Sequence, residues 1–156
     1  MFNLSYLELR IPPPIIFMIS LLLIALLNWL LPVNFPQTTL FMALCGVSFL
    51  ASGLIGLISL RAFIRVKTTV NPIKVQSAST LVVNGLYGFS RNPMYLALAL
   101  LLLSVCLYLA NPWTVLGVLF FVLFITRFQI IPEEKALMEV FGEHYQAYRK
   151  RVRRWL

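Results

Sequence analysis

The chain has 156 residues, the length of one domain, and 60% of them are hydrophobic while only 12% are charged. A soluble domain carries roughly 25% charged residues, so this composition is that of an integral membrane protein. The net charge of +8 does not point to nucleic acid, because the basic residues lie in loops and tail between apolar runs, as membrane topology requires.

Met1 to Arg10 reads as a short amphipathic lead, and Pro12-Pro13-Pro14 mark the start of a first apolar span, Ile15 to Leu31. No cleaved signal peptide is expected, since Glu8-Leu9-Arg10 is followed by three prolines and a long apolar run without a small-residue cleavage pattern. Pro32 to Pro36 form a short uncharged turn. A second span runs from about Thr38 to Leu60, long enough for a hydrocarbon core that needs about 20 residues. Its small residues, Ala43, Gly46, Ser52, Gly53 and Gly56, would let another helix approach closely. Cys45 and Cys106 both lie inside apolar runs with no metal or redox spacing, and read as small core residues.

The connection from Arg61 to Asn92 carries Arg61, Arg65, Lys67, Lys74 and Arg91 without one acid, which places it in the cytoplasm. A connection this long is either functional or disordered. It ends in Gly85-Leu86-Tyr87-Gly88-Phe89-Ser90-Arg91-Asn92-Pro93-Met94-Tyr95. Proline suits the first turn of a helix, where its missing N–H costs nothing, so Pro93 opens the third span. The free N–H groups and positive dipole end of that helix would face an anion nearby. Two readings stay open for this stretch: a binding site, or ordinary interfacial anchoring by Arg91, Tyr87 and Tyr95.

Span three continues to about Ala110, Asn111-Pro112 make a tight turn, and span four runs from Trp113 to about Ile131. At 1.5 Å per residue the arms of this hairpin are about 28 and about 33 Å long. Arg91 and Asn92 therefore return to the depth of Arg127, Gln129, Glu133 and Glu134. Beyond Pro132, Leu137, Val140, Phe141, Tyr145, Tyr148 and Val152 recur at three and four residues, giving a final helix one apolar face. Gly142 weakens its middle. Arg149, Lys150, Arg151, Arg153 and Arg154 would let the same helix lie on an anionic membrane surface. His144 has no cysteine or second histidine with which to share a metal. No serine-histidine-acid set or phosphate-binding glycine loop stands out, which leaves the paired acids Glu133 and Glu134.

Thr68-Thr69-Val70-Asn71-Pro72, Thr80-Leu81-Val82 with Asn84-Gly85-Leu86-Tyr87, and Arg91-Asn92-Pro93-Met94-Tyr95 resemble the isoprenylcysteine carboxyl methyltransferase family and its phospholipid methyltransferase relatives. Glu133-Glu134-Lys135-Ala136-Leu137, then Phe141-Gly142, then Tyr145 with Tyr148, are similar to that family's E-E-x-x-L, F-G and Y-x-x-Y pattern. The apolar runs and the placement of the basic residues predict an all-α, multi-pass integral membrane protein, with four transmembrane helices, a C-terminal amphipathic helix and both termini cytoplasmic. The resemblance implies a membrane-embedded methyltransferase with S-adenosyl-L-methionine as cofactor, and with Ser79, Thr80, Leu81, Val82, Tyr87, Asn92, Pro93, Met94, Tyr95 and Glu133 lining its pocket. The acceptor it implies is a carboxylate on a lipophilic substrate such as a prenylated cysteine.

This sequence departs from the pattern at three places. Asn92 stands where many members have histidine, Gly88 replaces a larger or basic residue, and Gln129 takes the place of a substrate-binding arginine. Arg127, two residues earlier, is the candidate replacement, although ordinary helical geometry turns it to another face. A carboxylate acceptor is already ionised near neutral pH, so the shortage of histidine matters little; an amine or thiol would need deprotonation. Two rival readings are an NADPH-dependent double-bond reductase of sterol-reductase type and a small packing or transport subunit, the latter suggested by the glycine-lined second span.

Overall fold

The computed structural model describes residues 8–33, 35–66 and 81–156. Ser79 and Thr80, both expected at the cofactor, and the Thr68–Pro72 block lie outside the described residues. Among the described residues the fold is all-α, without strands. Helix α1 is Pro13–Leu30, α2 Thr39–Val66, α3 Pro93–Leu109, α4 Val115–Ile125 and α5 Ile131–Arg151, with short 3-10 turns at Gly85–Gly88 and Pro112–Thr114.

Pro13 and Pro14 lie in the first turn of α1 and Pro93 in that of α3, where no intrahelical donor is lost. Three helical stretches, Pro13–Leu30, Thr39–Ala62 and Pro112–Arg151, are long and apolar enough to cross a membrane, and Pro93–Leu109 is a shorter apolar helix. Exposed apolar surface points the same way. Leu40, Val47, Leu50 and Leu54 of α2 are 61–66% exposed, an arrangement stable only when lipid replaces water around the helix. At 28 residues, α2 is about 42 Å long and overruns the hydrocarbon core, so its last turns, with Arg61, stand beyond it.

The core forms between α1, α3 and α4, around Ile16, Ile24, Leu102, Phe121 and Ile125. Ile16, Ser20 and Ile24 make the buried stripe of α1, which packs chiefly on α4, while α2 packs on α3. Gly117 decides how closely α1 and α4 approach: a Cβ there would lie 2.4 Å from Ile24 Cγ1 and 3.2 Å from the Ser20 carbonyl. Of the small residues of α2, Gly56 faces Ala97 of α3, whereas Gly46 and Gly53 face open space. At the far end from the acids, the buried Asn111 side chain donates to Asn28 Oδ1 at 3.1 Å and the Leu31 carbonyl at 2.8 Å, and caps Trp113 N–H at 3.0 Å.

The fourth span differs most from expectation. Pro132 was expected to separate it from a terminal helix, but helical structure runs on from Pro112 to Arg151 through a π turn at Thr126–Ile130. Proline inside a helix leaves the carbonyl four residues earlier without its donor. Here that carbonyl belongs to Phe128, and it accepts the Leu9 N–H at 3.0 Å. The N-terminal segment thus supplies the bond that Pro132 cannot. Gly142, with φ 50° and ψ −124°, then kinks α5 midway, in a conformation that side-chain-bearing residues rarely adopt.

Candidate functional site

Where α5 begins, its two acids have different partners. Glu133 accepts the Tyr95 hydroxyl at 2.5 Å. This is a short hydrogen bond between two half-buried side chains. It links the first turn of α3 to the first turn of α5. Among the described residues Tyr95 is the hydrogen-bond partner that holds Glu133.

Glu134 turns to the opposite charges. Arg91 Nη2 lies 2.8 Å from its Oε1, and both side chains are 8% exposed. Arg154 forks onto the same carboxylate, Nε to Oε1 at 3.0 Å and Nη2 to Oε2 at 2.8 Å. Those bonds push the Arg154 pKa still higher. One carboxylate thus holds two guanidiniums, and the buried Arg91 Nε has no partner among the described residues.

Reaching Glu134 from position 154 requires the chain to turn back. Val152 leaves the helix in an extended conformation, and Arg153 then pairs in parallel with Ser90. Arg91 N–H donates to the Arg153 carbonyl at 3.0 Å, Asn92 Nδ2 to the Arg154 carbonyl at 2.9 Å, and Trp155 Nε1 to Thr126 Oγ1 at 3.2 Å. Residues 152–155 are therefore a strap across the mouth of α3. Sequence reading took these arginines for a membrane-facing tail; Arg149, Lys150, Arg151 and Arg153 are indeed exposed, but Arg154 is not free. The missed signal was acid scarcity. With five acids in the chain, one set beside an apolar span needs a cationic partner.

Asn92 precedes α3 without capping it, because its amide is committed to Arg154. The first N–H groups of α3, after the buried Pro93, consequently have no side-chain cap and remain able to meet an anion. Met94 and Tyr95 in this turn are half-buried. Tyr87 is buried in the preceding 3-10 turn, held by Ser59 of α2 and, through its carbonyl, by the Tyr148 hydroxyl at 2.7 Å. Burial pushes the Tyr87 pKa up, so its phenol stays neutral.

Beyond the kink, Tyr145, Tyr148 and Val152 form a second small core, against which Leu81, Val83, Leu137, Met138 and Phe141 pack. Leu81 and Val82 are half-buried. Beside this core lies an open groove of about 320 Å³, with Leu81, Val83, Phe141, Ala147 and Tyr148 as walls and His144 and Arg151 as its polar lining. That volume is at the lower end for small-molecule sites.

Arg127 and Gln129 have other partners. Arg127 Nη1 donates to Glu8 Oε1 at 2.7 Å, and its side chain is 49% exposed. Gln129 is wholly buried, donates Nε2 to the Ile11 carbonyl at 2.6 Å, and leaves Oε1 without a partner among the described residues. The arrangement uses both residues to hold the N-terminal segment against the π turn, where sequence reading had them at the substrate.

The profile of the phospholipid methyltransferase family matches residues 41–144, two thirds of the chain. An uncharacterised protein of Haemophilus influenzae is 49% identical over 63 residues, which is 40% of this chain and the whole of that protein. No solved structure matches.

Proposed function

Because the chain belongs to the phospholipid methyltransferase family and is thus a membrane methyltransferase, we propose that its methyl donor is S-adenosyl-L-methionine and its acceptor the polar end, a carboxylate, of a lipophilic molecule. The observation that carries this reading is the Tyr95–Glu133 bond beside the uncapped start of α3. The donor set fits the cofactor's chemistry. The N–H groups of Met94 and Tyr95 suit its carboxylate, the carboxyl of Glu133 suits an ammonium or ribose hydroxyl, and half-buried Leu81 and Val82 suit an apolar or aromatic face.

When bound, the cofactor supplies an electrophilic methyl group on a positively charged sulfur. This chain's residues provide alignment and shelter. Tyr95 fixes the rotamer of Glu133, the Arg91–Glu134–Arg154 cluster fixes the mouth of α3, and Tyr145 and Tyr148 pack the second half of α5 over Leu81 and Val83 to exclude water. A carboxylate acceptor needs no base.

One observation favours a second acceptor. With Arg127 bound to Glu8 and Gln129 neutral, neither supplies the cation that would anchor an acceptor carboxylate, so a lipid amine is the alternative. Both are tested by incubating the detergent-purified protein with methyl-labelled cofactor and membrane lipid extract. Label should enter the lipid fraction. A methyl ester releases it as methanol in alkali, whereas an N-methyl group retains it. Absence of cofactor binding, or binding of NADPH in its place, would sink the methyl-donor reading.

A further inference from the structure

We infer that Arg154 is a positioning residue of the cofactor site, acting from the strap through Glu134 and Asn92, an inference that rests on the methyl-donor reading above. Its side chain and its backbone reach different parts of the site. The guanidinium forks onto Glu134, the neighbour of Glu133, while the carbonyl accepts the Asn92 amide immediately before Pro93. Arg154 thereby sets the separation between the start of α5 and the start of α3, the two turns joined by Tyr95 and Glu133. Other contacts on either side keep the strap in register: Arg153 pairs with Ser90 and Arg91, and Trp155 reaches Thr126 in the π turn and packs on the main core.

The fork matters as much as the charge. Two parallel N–H···O bonds fix both the distance and the plane of the Glu134 carboxylate, which a single ammonium cannot do. Glu134 Oε1 also accepts from Arg91 Nη2, and the Arg91 backbone N–H is itself bonded to the strap. Loss of the fork leaves Glu134 to Arg91 alone and frees the first turn of α5 to rotate away from Tyr95. Arg154 need not touch the cofactor for this to weaken binding.

The test uses the full chain in lipid nanodiscs and labelled S-adenosylmethionine, measuring dissociation constant, binding stoichiometry and thermal midpoint. Arg154→Ala is expected to raise the dissociation constant at least fivefold at wild-type stoichiometry, and Arg154→Lys to fall between the two. Lys150→Ala, which removes the same charge from an exposed neighbouring site, should stay within twofold of wild type. Glu134→Gln combined with Arg154→Ala should be no worse than the weaker single variant, since both act through one contact. A wild-type dissociation constant in Arg154→Ala, reduced stoichiometry at unchanged affinity, or fully additive losses would overturn the positioning role. If Arg154→Ala does not fold, wild-type affinity in Arg154→Lys overturns it equally. Failure of the wild-type chain itself to bind would instead reject the methyl-donor reading, and this inference with it.

Discussion

At the scale of single residues, Tyr95 and Glu133 carry the clearest expectation. Tyr95→Phe removes the hydroxyl that fixes Glu133, and Glu133→Ala removes its acceptor. Leaving a buried polar partner unsatisfied costs about 1–3 kcal/mol, so each variant should lose roughly tenfold in cofactor affinity while still inserting. Equilibrium dialysis with labelled cofactor reads this directly, and unchanged affinity in both would remove the pair from the site. Glu134→Ala is a different case, because it strands Arg91 at 8% exposure and Arg154 at 33%. Breaking a buried ion pair by removing one partner costs about 3–5 kcal/mol, so the variant should show a much lower unfolding midpoint in detergent even before cofactor is added. The Tyr95–Glu133 level was legible in the sequence because two apolar arms of similar length must return to the same depth. Arg154 was not, since nothing before Val152 announces that the chain turns back.

Among the elements, the close approach of α1 to α4 depends on Gly117. Gly117→Val must push Ile24 aside, and overpacking of this kind costs about 1–3 kcal/mol, visible as a lower midpoint with the site residues untouched. The second half of α5 is expected to be a cover over the site, since Tyr145 and Tyr148 shield Leu81 and Val83. A chain ending at Glu139 should therefore insert its apolar helices but lose most cofactor affinity; retention of wild-type affinity would make that half of α5 an anchor only. The starts of α1 and α3 were legible from their prolines. Pro132 does stand in the first turn of α5, as expected, but helical structure reaches it from α4 without a break through the π turn, and the Phe128 carbonyl accepts the Leu9 N–H in place of the donor Pro132 lacks.

For the whole molecule, the basic connection between α2 and α3 and the basic tail should share the cytoplasmic side, with Asn111 on the other. In a chain with Cys45 and Cys106 replaced, a cysteine at Asn111 should react only from outside the cytoplasm; labelling from the cytoplasm alone would reject four spans. Composition was enough to read an all-α membrane protein. It could not say which helices pair, because lipid-facing and core-facing positions are equally apolar and only details such as Gly117 against Ile24 distinguish them. That pairing also has a consequence in time. The stripe of α1 waits for a partner made much later in synthesis, so the packing of α1 on α4 forms only after the last span is in place. Meanwhile Ser20 can wait in lipid without penalty, since its hydroxyl already donates to the Ile16 carbonyl at 2.8 Å. The Asn28 side chain, by contrast, accepts from Asn111, which it meets only when the α3–α4 hairpin arrives, and so is suited to keeping that end of α1 at the aqueous boundary until the last helix is in place.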